Sequence, residues 1–189
     1  MTVSSDLDRR FRESAAAAGL VDVAYDLLDS PIGQLLVAAT EHGLCRIGFE
    51  PDTDTELERL ARGHSVRVLR VPRRLDEPRR QLEQYFAGAR RAFEVDADLS
   101  GLPPFQQRVL TELARVPFGE VTTYGALART VGNPRAARAV GGALNRNPIP
   151  IVLPCHRVVG SSGSLVGYAG GLDRKRTLLE LEGVTTQRL

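Results

Sequence analysis

From Val21 the chain alternates short apolar runs with turn-forming clusters. Residues 23–28, 35–39 and 44–49 each suit one strand, and Asp29-Ser30-Pro31-Ile32-Gly33 and Thr40-Glu41-His42-Gly43 supply turn chemistry between them. This pattern predicts an antiparallel meander. Residues 50–74 are charged and only weakly periodic, and are expected to be partly loop. Leu75, Leu82, Tyr85 and Phe86 then recur at helical spacing, which predicts an amphipathic helix packed on the sheet. Residues 92–99 read as a further extended segment. The first 20 residues are polar and then alanine-rich, and form either a short helix or an arm.

A linker at Ser100-Gly101-Leu102-Pro103-Pro104 divides the chain into an arm (1–20), an N-terminal α/β domain (21–99) and a C-terminal domain (100–189). Phe105, Val109, Leu110 and Leu113 mark the first helix of the C-terminal domain, and Pro117-Phe118-Gly119 ends it. Thr123 can cap a short helix over 124–131, Gly132-Asn133 turns the chain, and Pro134 is expected to open a helix over 134–144. Two short helices joined this way form a helix-turn-helix. In the second helix Ala136, Ala137, Ala139, Gly141, Gly142 and Ala143 leave a nearly bare surface beside Arg135 and Arg138. Each glycine there costs about 1 kcal/mol relative to alanine, so the smooth face serves either close helix packing or close approach to a ligand. Asp173 is expected to cap a last helix running to Glu182, with Gly183 ending it. The fold class is therefore α+β, a small antiparallel sheet with a helix followed by a helical domain.

With 189 residues, 42% hydrophobic and 25% charged, the chain can build one medium domain or two small ones. Nowhere do 18 apolar residues run together, and Asp6, Asp8, Arg9, Arg10 and Arg12 occupy the place of a signal peptide's apolar core. A soluble, cytoplasmic protein is expected. Residues 1–100 hold 14 basic and 18 acidic side chains, whereas residues 101–189 hold 11 and 5. A basic C-terminal half suits a nucleic-acid surface. Cys45 and Cys155 read as free thiols. His42 and Cys45 are spaced like half a zinc site, but only His64 remains to complete it outside the 155–156 pair, so neither metal nor cofactor is expected.

The candidate chemistry is Pro154-Cys155-His156-Arg157-Val158. An unperturbed thiol is only a few per cent ionised near neutral pH, so a nucleophilic cysteine needs a base or a positive field. His156 is the available base. Pro148, Pro150 and Pro154 make 147–155 an irregular approach ending in a turn, where a water could link sulfur to imidazole. Such a histidine is commonly oriented by a carboxylate, for which Asp173, Glu180 and Glu182 are candidates.

Residues 147–160 together with Gly167-Tyr168-Ala169-Gly170-Gly171 resemble the active-site signature of the O6-alkylguanine-DNA alkyltransferases. Gly119-Glu120-Val121, Tyr124-Gly125, residues 132–141 and residues 178–183 follow in that family's order, so the likeness spans roughly 103–183. The resemblance implies a ribonuclease H-like N-terminal domain, a winged helix-turn-helix-like DNA-binding domain, and irreversible transfer of an alkyl group from guanine O6, with O4-alkylthymine a second candidate, to Cys155. It implies His156 as base through water, Glu182 as its orienting carboxylate, Tyr124 as the phenol protonating the departing guanine, and Asn147 as the hinge behind the active-site turn. The second helix would enter the minor groove of double-stranded DNA through Ala137, Ala139 and Gly141, and Arg138 would fill the stack left by the flipped nucleotide. Asn133 and Ser161 would contact the backbone, while main-chain groups of Cys155 and Val158 and the loop at Tyr168 would frame the base. Ala169 stands where some relatives carry serine. A monomer is expected. A lesion-binding relative without the cysteine is disfavoured by Cys155, and a cysteine hydrolase would have little need of Arg138 and the bare helix.

Overall fold

The structure, a computed structural model, describes residues 5–185. The chain divides into two compact units, residues 1–83 with 94–101, and residues 84–93 with 102–189. The ends of the sequence, 1–4 of the expected arm and 186–189 of the C-terminal domain, lie outside the described residues.

In the first unit β1 (Val23–Leu28), β2 (Leu35–Thr40) and β3 (Gly43–Phe49) form the expected antiparallel meander. The sheet itself is mixed, however, because β4 (Val68–Arg70) adds to β1 in parallel, giving the order β3-β2-β1-β4. The sheet is covered on both faces, which is why β2 is a continuous apolar run instead of an alternating one. Leu60 of α2 (Thr53–Gly63) packs with Val23, Leu36, Ala38 and Cys45, while Ala15 of α1 (Ser5–Ala17) packs with Val21, Ala24 and Val71. The stretch expected to be partly loop thus contains both a helix and a strand. Glu56, turned inward on α2, is held by Arg46 and Arg59 at 2.7 and 2.8 Å. Residues 94–99, expected to be extended, form no strand; they meet the sheet through a bridge between Leu44 and Ala97 and through Thr40 Oγ1, which donates to Asp98 Oδ2 at 2.6 Å. That bridge needs Gly43: at φ +127°, a Cβ there would meet the Asp96 carbonyl oxygen at 2.4 Å. A 3₁₀ turn over Pro72–Leu75 leads into α3 (Asp76–Phe86), whose Tyr85 is counted with the second unit.

The second unit packs α4 (Pro104–Leu113), α5 (Tyr124–Thr130) and α6 (Ala137–Asn145) through Val109, Leu110, Leu113, Leu127, Val140 and Leu144. Thr123 caps α5 as expected, its Oγ1 accepting from Ala126 N at 3.1 Å. Pro134 does not open α6. The Ala136 N–H first closes a turn on Asn133 O, and the helix begins at Ala137. Two-residue strands β5 (Thr122–Thr123) and β6 (Val158–Val159) pair in parallel, anchoring the segment that carries Cys155. The last helix, α7 (Leu172–Leu181), is capped by Gly171 at φ +87° with no side-chain bond. Asp173 lies inside its first turn, where a negative charge favours the helix dipole. No helix among the described residues is long and apolar enough to cross a membrane.

Candidate active site

The site is built on the segment from α6 to α7 in the second unit. After α6, the three prolines forbid helix, and the chain makes a tight excursion in which Ile151 adopts φ +77°. Asn147 organises it. Its Oδ1 accepts from Ile149 N at 3.0 Å, and its Nδ2 donates to Leu153 O at 2.8 Å and to Cys155 Sγ at 3.1 Å. The chain then enters a 3₁₀ turn over Cys155–Arg157, closed by Arg157 N on Pro154 O at 2.9 Å. Cys155, His156 and Arg157 are all buried.

Burial pushes the Cys155 thiol up to about 11, partly offset by the Asn147 amide, by main-chain donors and by the charge on Lys175. Burial likewise lowers the pKa of His156, against the opposing pull of Glu182. The resting pair is therefore a neutral thiol and a neutral imidazole. His156 Nε2 lies 2.8 Å from Glu182 Oε1. Facing a carboxylate, Nε2 carries the proton, which leaves Nδ1 as the basic nitrogen. Nδ1 is buried and has no partner among the described residues, and the sulfur is linked to Asn147.

Of the three candidate carboxylates, the structure brings Glu182 to the site and leaves Asp173 and Glu180 exposed. Glu182 ends α7, and its two oxygens also accept from Tyr85 Oη (2.7 Å), Arg157 Nε and Nη2 (2.8 and 2.9 Å) and Gly119 N (3.2 Å). Burial alone would raise this carboxyl, but hydrogen bonds and charge from His156 and Arg157 take it down to about 2. Arg157 is fixed in turn by Val116 O at 2.6 Å and by the Phe118 ring beneath its guanidinium. Arg157, Tyr85 and Lys175 also stand at the site, although motif reading assigned them no part in it. A signal was present for the last: Lys175, Leu178, Leu179 and Glu182 share one helical face, so a cation standing at an apolar position could have been noticed.

A cavity of about 420 Å³ opens at Cys155, lined by Tyr124, Gly141, Leu144, Val166, Tyr168 and Ala169 among others. This is within the usual size for a small-molecule site. Tyr124 Oη donates to Val166 O and Gly167 O, both at 3.1 Å, and its ring stands where a Cβ on Gly141 would lie 3.7 Å away. Burial and the nearby sulfur raise the pKa of both Tyr124 and Tyr168, keeping the phenols protonated. Val158 does not line the cavity. Its N–H closes on Cys155 O and its carbonyl accepts from Lys175, so both main-chain groups are engaged within the protein. On α6, Arg138 and Ala139 are exposed and Ala137 and Gly141 are half-buried, while Val140, Ala143 and Leu144 face inward. Asn133 and Ser161 are exposed.

Two family models match the chain, the 6-O-methylguanine DNA methyltransferase ribonuclease-like domain over residues 23–99 and the DNA-binding domain of the same family over residues 104–184. A methylated-DNA--protein-cysteine methyltransferase of Methanosarcina acetivorans is 44% identical over 84% of this chain and 97% of its own length. One from Mycobacterium leprae is 47% identical over 82% and 89%. Among solved structures, Mycobacterium tuberculosis OGT in complex with DNA superposes with a TM-score of 0.73 at 41% identity, covering 85% of this chain and 93% of that one. The same fold pairing in both halves, with a buried Cys-His-Glu arrangement opening on a cavity, places this chain in the 6-O-methylguanine DNA methyltransferase family.

Proposed function

We propose that this protein repairs alkylated DNA by taking the alkyl group from guanine O6 onto Cys155 Sγ, once per molecule. Nucleophilic attack forms the S–C bond and breaks the C–O6 bond, whose electron pair stays on the guanine. The thiol proton passes through water to His156 Nδ1, guanine leaves neutral after receiving a proton from Tyr124 Oη, and the proton held by His156 returns through water to the tyrosinate, so that one proton in all has moved from sulfur to guanine. The net change is a thiol converted to a thioether and an alkylated base restored to guanine. Regenerating the cysteine would require a nucleophile to attack the alkyl carbon and expel the thiolate from an unactivated thioether, which is slow, so one molecule repairs one lesion. Glu182 holds the Nε2 proton and thereby keeps the imidazole turned with Nδ1 available. Asn147 steadies the developing thiolate.

The observation that carries this reading is the position of the sulfur. Cys155 lines a base-sized cavity, with Asn147 donating to it and a polarised His156–Glu182 pair behind it. Such a buried acceptor is reached only by a nucleotide turned out of its duplex. The part-exposed Ala137, Ala139 and Gly141 let α6 approach a minor groove closely, with Arg138 projecting from the same helix to fill the vacated stack. Asn133 and Ser161 supply backbone contacts, and the Tyr168 loop closes over the base.

The test is incubation with duplex DNA holding one O6-methylguanine, followed by intact and peptide mass analysis. One methyl group per protein on the Cys155 peptide is expected, and Cys155→Ser should bind the lesion without reacting. Repeated turnover, or a modified Cys45 beside an untouched Cys155, would overturn the mechanism. The same experiment with O4-methylthymine decides whether that lesion is also a substrate.

A further inference from the structure

Tyr85 does not line the cavity at Cys155, and its side chain is wholly buried. Three rings cage it, with centroids at 5.4 Å for Phe86 and 6.2 Å for Phe118, both edge-on, and at 5.3 Å for Phe93. A phenol held in this way needs an acceptor, and any main-chain carbonyl would serve. Here Oη donates instead to Glu182 Oε1 at 2.7 Å, the same oxygen that faces His156 Nε2 at 2.8 Å. Burial and the Glu182 charge raise the pKa of Tyr85, so it stays a donor. Phe118 packs against both Tyr85 and the Arg157 guanidinium, so two donors to Glu182 rest on one ring.

We infer that Tyr85 is a positioning residue of the transfer reaction: by sharing Glu182 Oε1 with His156 Nε2, its hydroxyl limits how strongly the carboxylate draws on the imidazole. The inference rests on His156 being the base in that reaction. A carboxylate oxygen that already accepts from a phenol has less charge to offer a second donor, and the hydroxyl proton lies at the very oxygen the imidazole faces. Both effects disfavour the imidazolium. The other charged and titratable groups around His156 are Arg157 and Cys155 on its own turn and Lys175 on α7, with Tyr168 close to both Cys155 and Tyr85. Arg157 and Lys175 also oppose the imidazolium, while Glu182 favours it. Tyr85 therefore acts on the interaction that would otherwise protonate the base early. A neutral His156 can take the thiol proton through water and an imidazolium cannot, so transfer should fall on acidification with the midpoint of His156.

Tyr85→Phe removes the donor and keeps the ring. Full-length protein labelled with ¹⁵N histidine is titrated from about pH 7.5 to about pH 5, the His156 signals being assigned by their loss in His156→Gln. Tyr85→Phe should carry the larger imidazolium fraction, its midpoint raised by about half a unit or more, roughly a threefold change in proton affinity. The acid limb of transfer from free O6-benzylguanine should move up in pH by the same amount. 3-Fluorotyrosine placed at position 85 alone is a stronger donor, and should move both midpoints the opposite way. A purely structural contact gives a different result, a lower rate at all pH values with the His156 titration unmoved. That result, or equal titrations in wild type and Tyr85→Phe, overturns the inference. Should Tyr85→Phe fail to fold, as far-UV circular dichroism would show, the fluorotyrosine protein, whose ring is nearly unchanged, still decides. The two readings fail separately: a wild type that accepts no alkyl group sinks the proposed function, whereas the titration of His156 needs no transfer.

Discussion

Replacing Glu182 with glutamine removes a charge at the most heavily bonded point in the second unit. The carboxylate receives five hydrogen bonds, from Tyr85, His156, Gly119 and twice from Arg157, and its side chain is completely buried. Whichever way the substituted amide is turned, its NH₂ group faces donors. Breaking a buried ion pair in this way costs about 3–5 kcal/mol. A second route reaches the same size: holding the carboxyl near 2 instead of its ordinary 4.5 corresponds to on the order of 3 kcal/mol. Because the folded-state value is lowered, that stability is fully present above about pH 4.5 and is lost as the pH falls through about 2. Glu182→Gln has no such group to titrate. The gap between wild type and variant should therefore be about 3 kcal/mol at pH 7 and narrow steadily between pH 4.5 and pH 3. Urea unfolding followed by far-UV circular dichroism at several pH values measures it, the chain having no tryptophan to report by fluorescence. A gap below about 1 kcal/mol at pH 7, or one that stays constant on acidification, would refute the account of Glu182 as an ionised hub.

Three further outcomes follow from the geometry. Asn147→Ala removes the donor to Cys155 Sγ and both bonds that shape the approach to it, and should cost about 2–3 kcal/mol and slow transfer; a variant equal to wild type in both would show that the turn holds itself. Arg138→Ala should lose rate on duplex lesions but little toward free O6-benzylguanine, which needs no flipping, and an unchanged ratio of the two rates would make Arg138 an ordinary surface cation. Gly43→Ala forces a Cβ against the Asp96 carbonyl at a positive φ, so denaturation should show a loss of more than about 2 kcal/mol, while a neutral result would mean the 94–98 segment can move aside at little cost.

What could be read in the chain, and what could not, divides along physical lines. The three meander strands were legible because local turn chemistry at 29–33 and 40–43 brackets apolar runs. α2 was not, because the side chain it turns inward at Glu56 is neutralised by Arg46 from β3, ten residues away in sequence, so a charged helix lacks the apolar stripe that announces a buried one. β4 is three residues long and pairs with β1 in parallel across 45 residues, which leaves no local trace. Pro134 obeyed a rule that permits proline in a first turn without requiring it, and the turn at Asn133 took precedence. At the site, the residue types were legible as a motif while their electrical state was not. A cysteine beside a histidine suggests an ion pair, yet both groups are buried deeply enough that neutrality is favoured. If Cys155 is the alkyl acceptor, it rests protonated inside the cavity, in its less reactive form. Ionisation then requires a base that can accept the proton without itself being stabilised as a cation beforehand. A neutral His156, anchored by a carboxylate that Arg157 and Tyr85 hold in place, meets that requirement, and this explains why the carboxylate has more partners than a simple Cys-His-Glu relay would need.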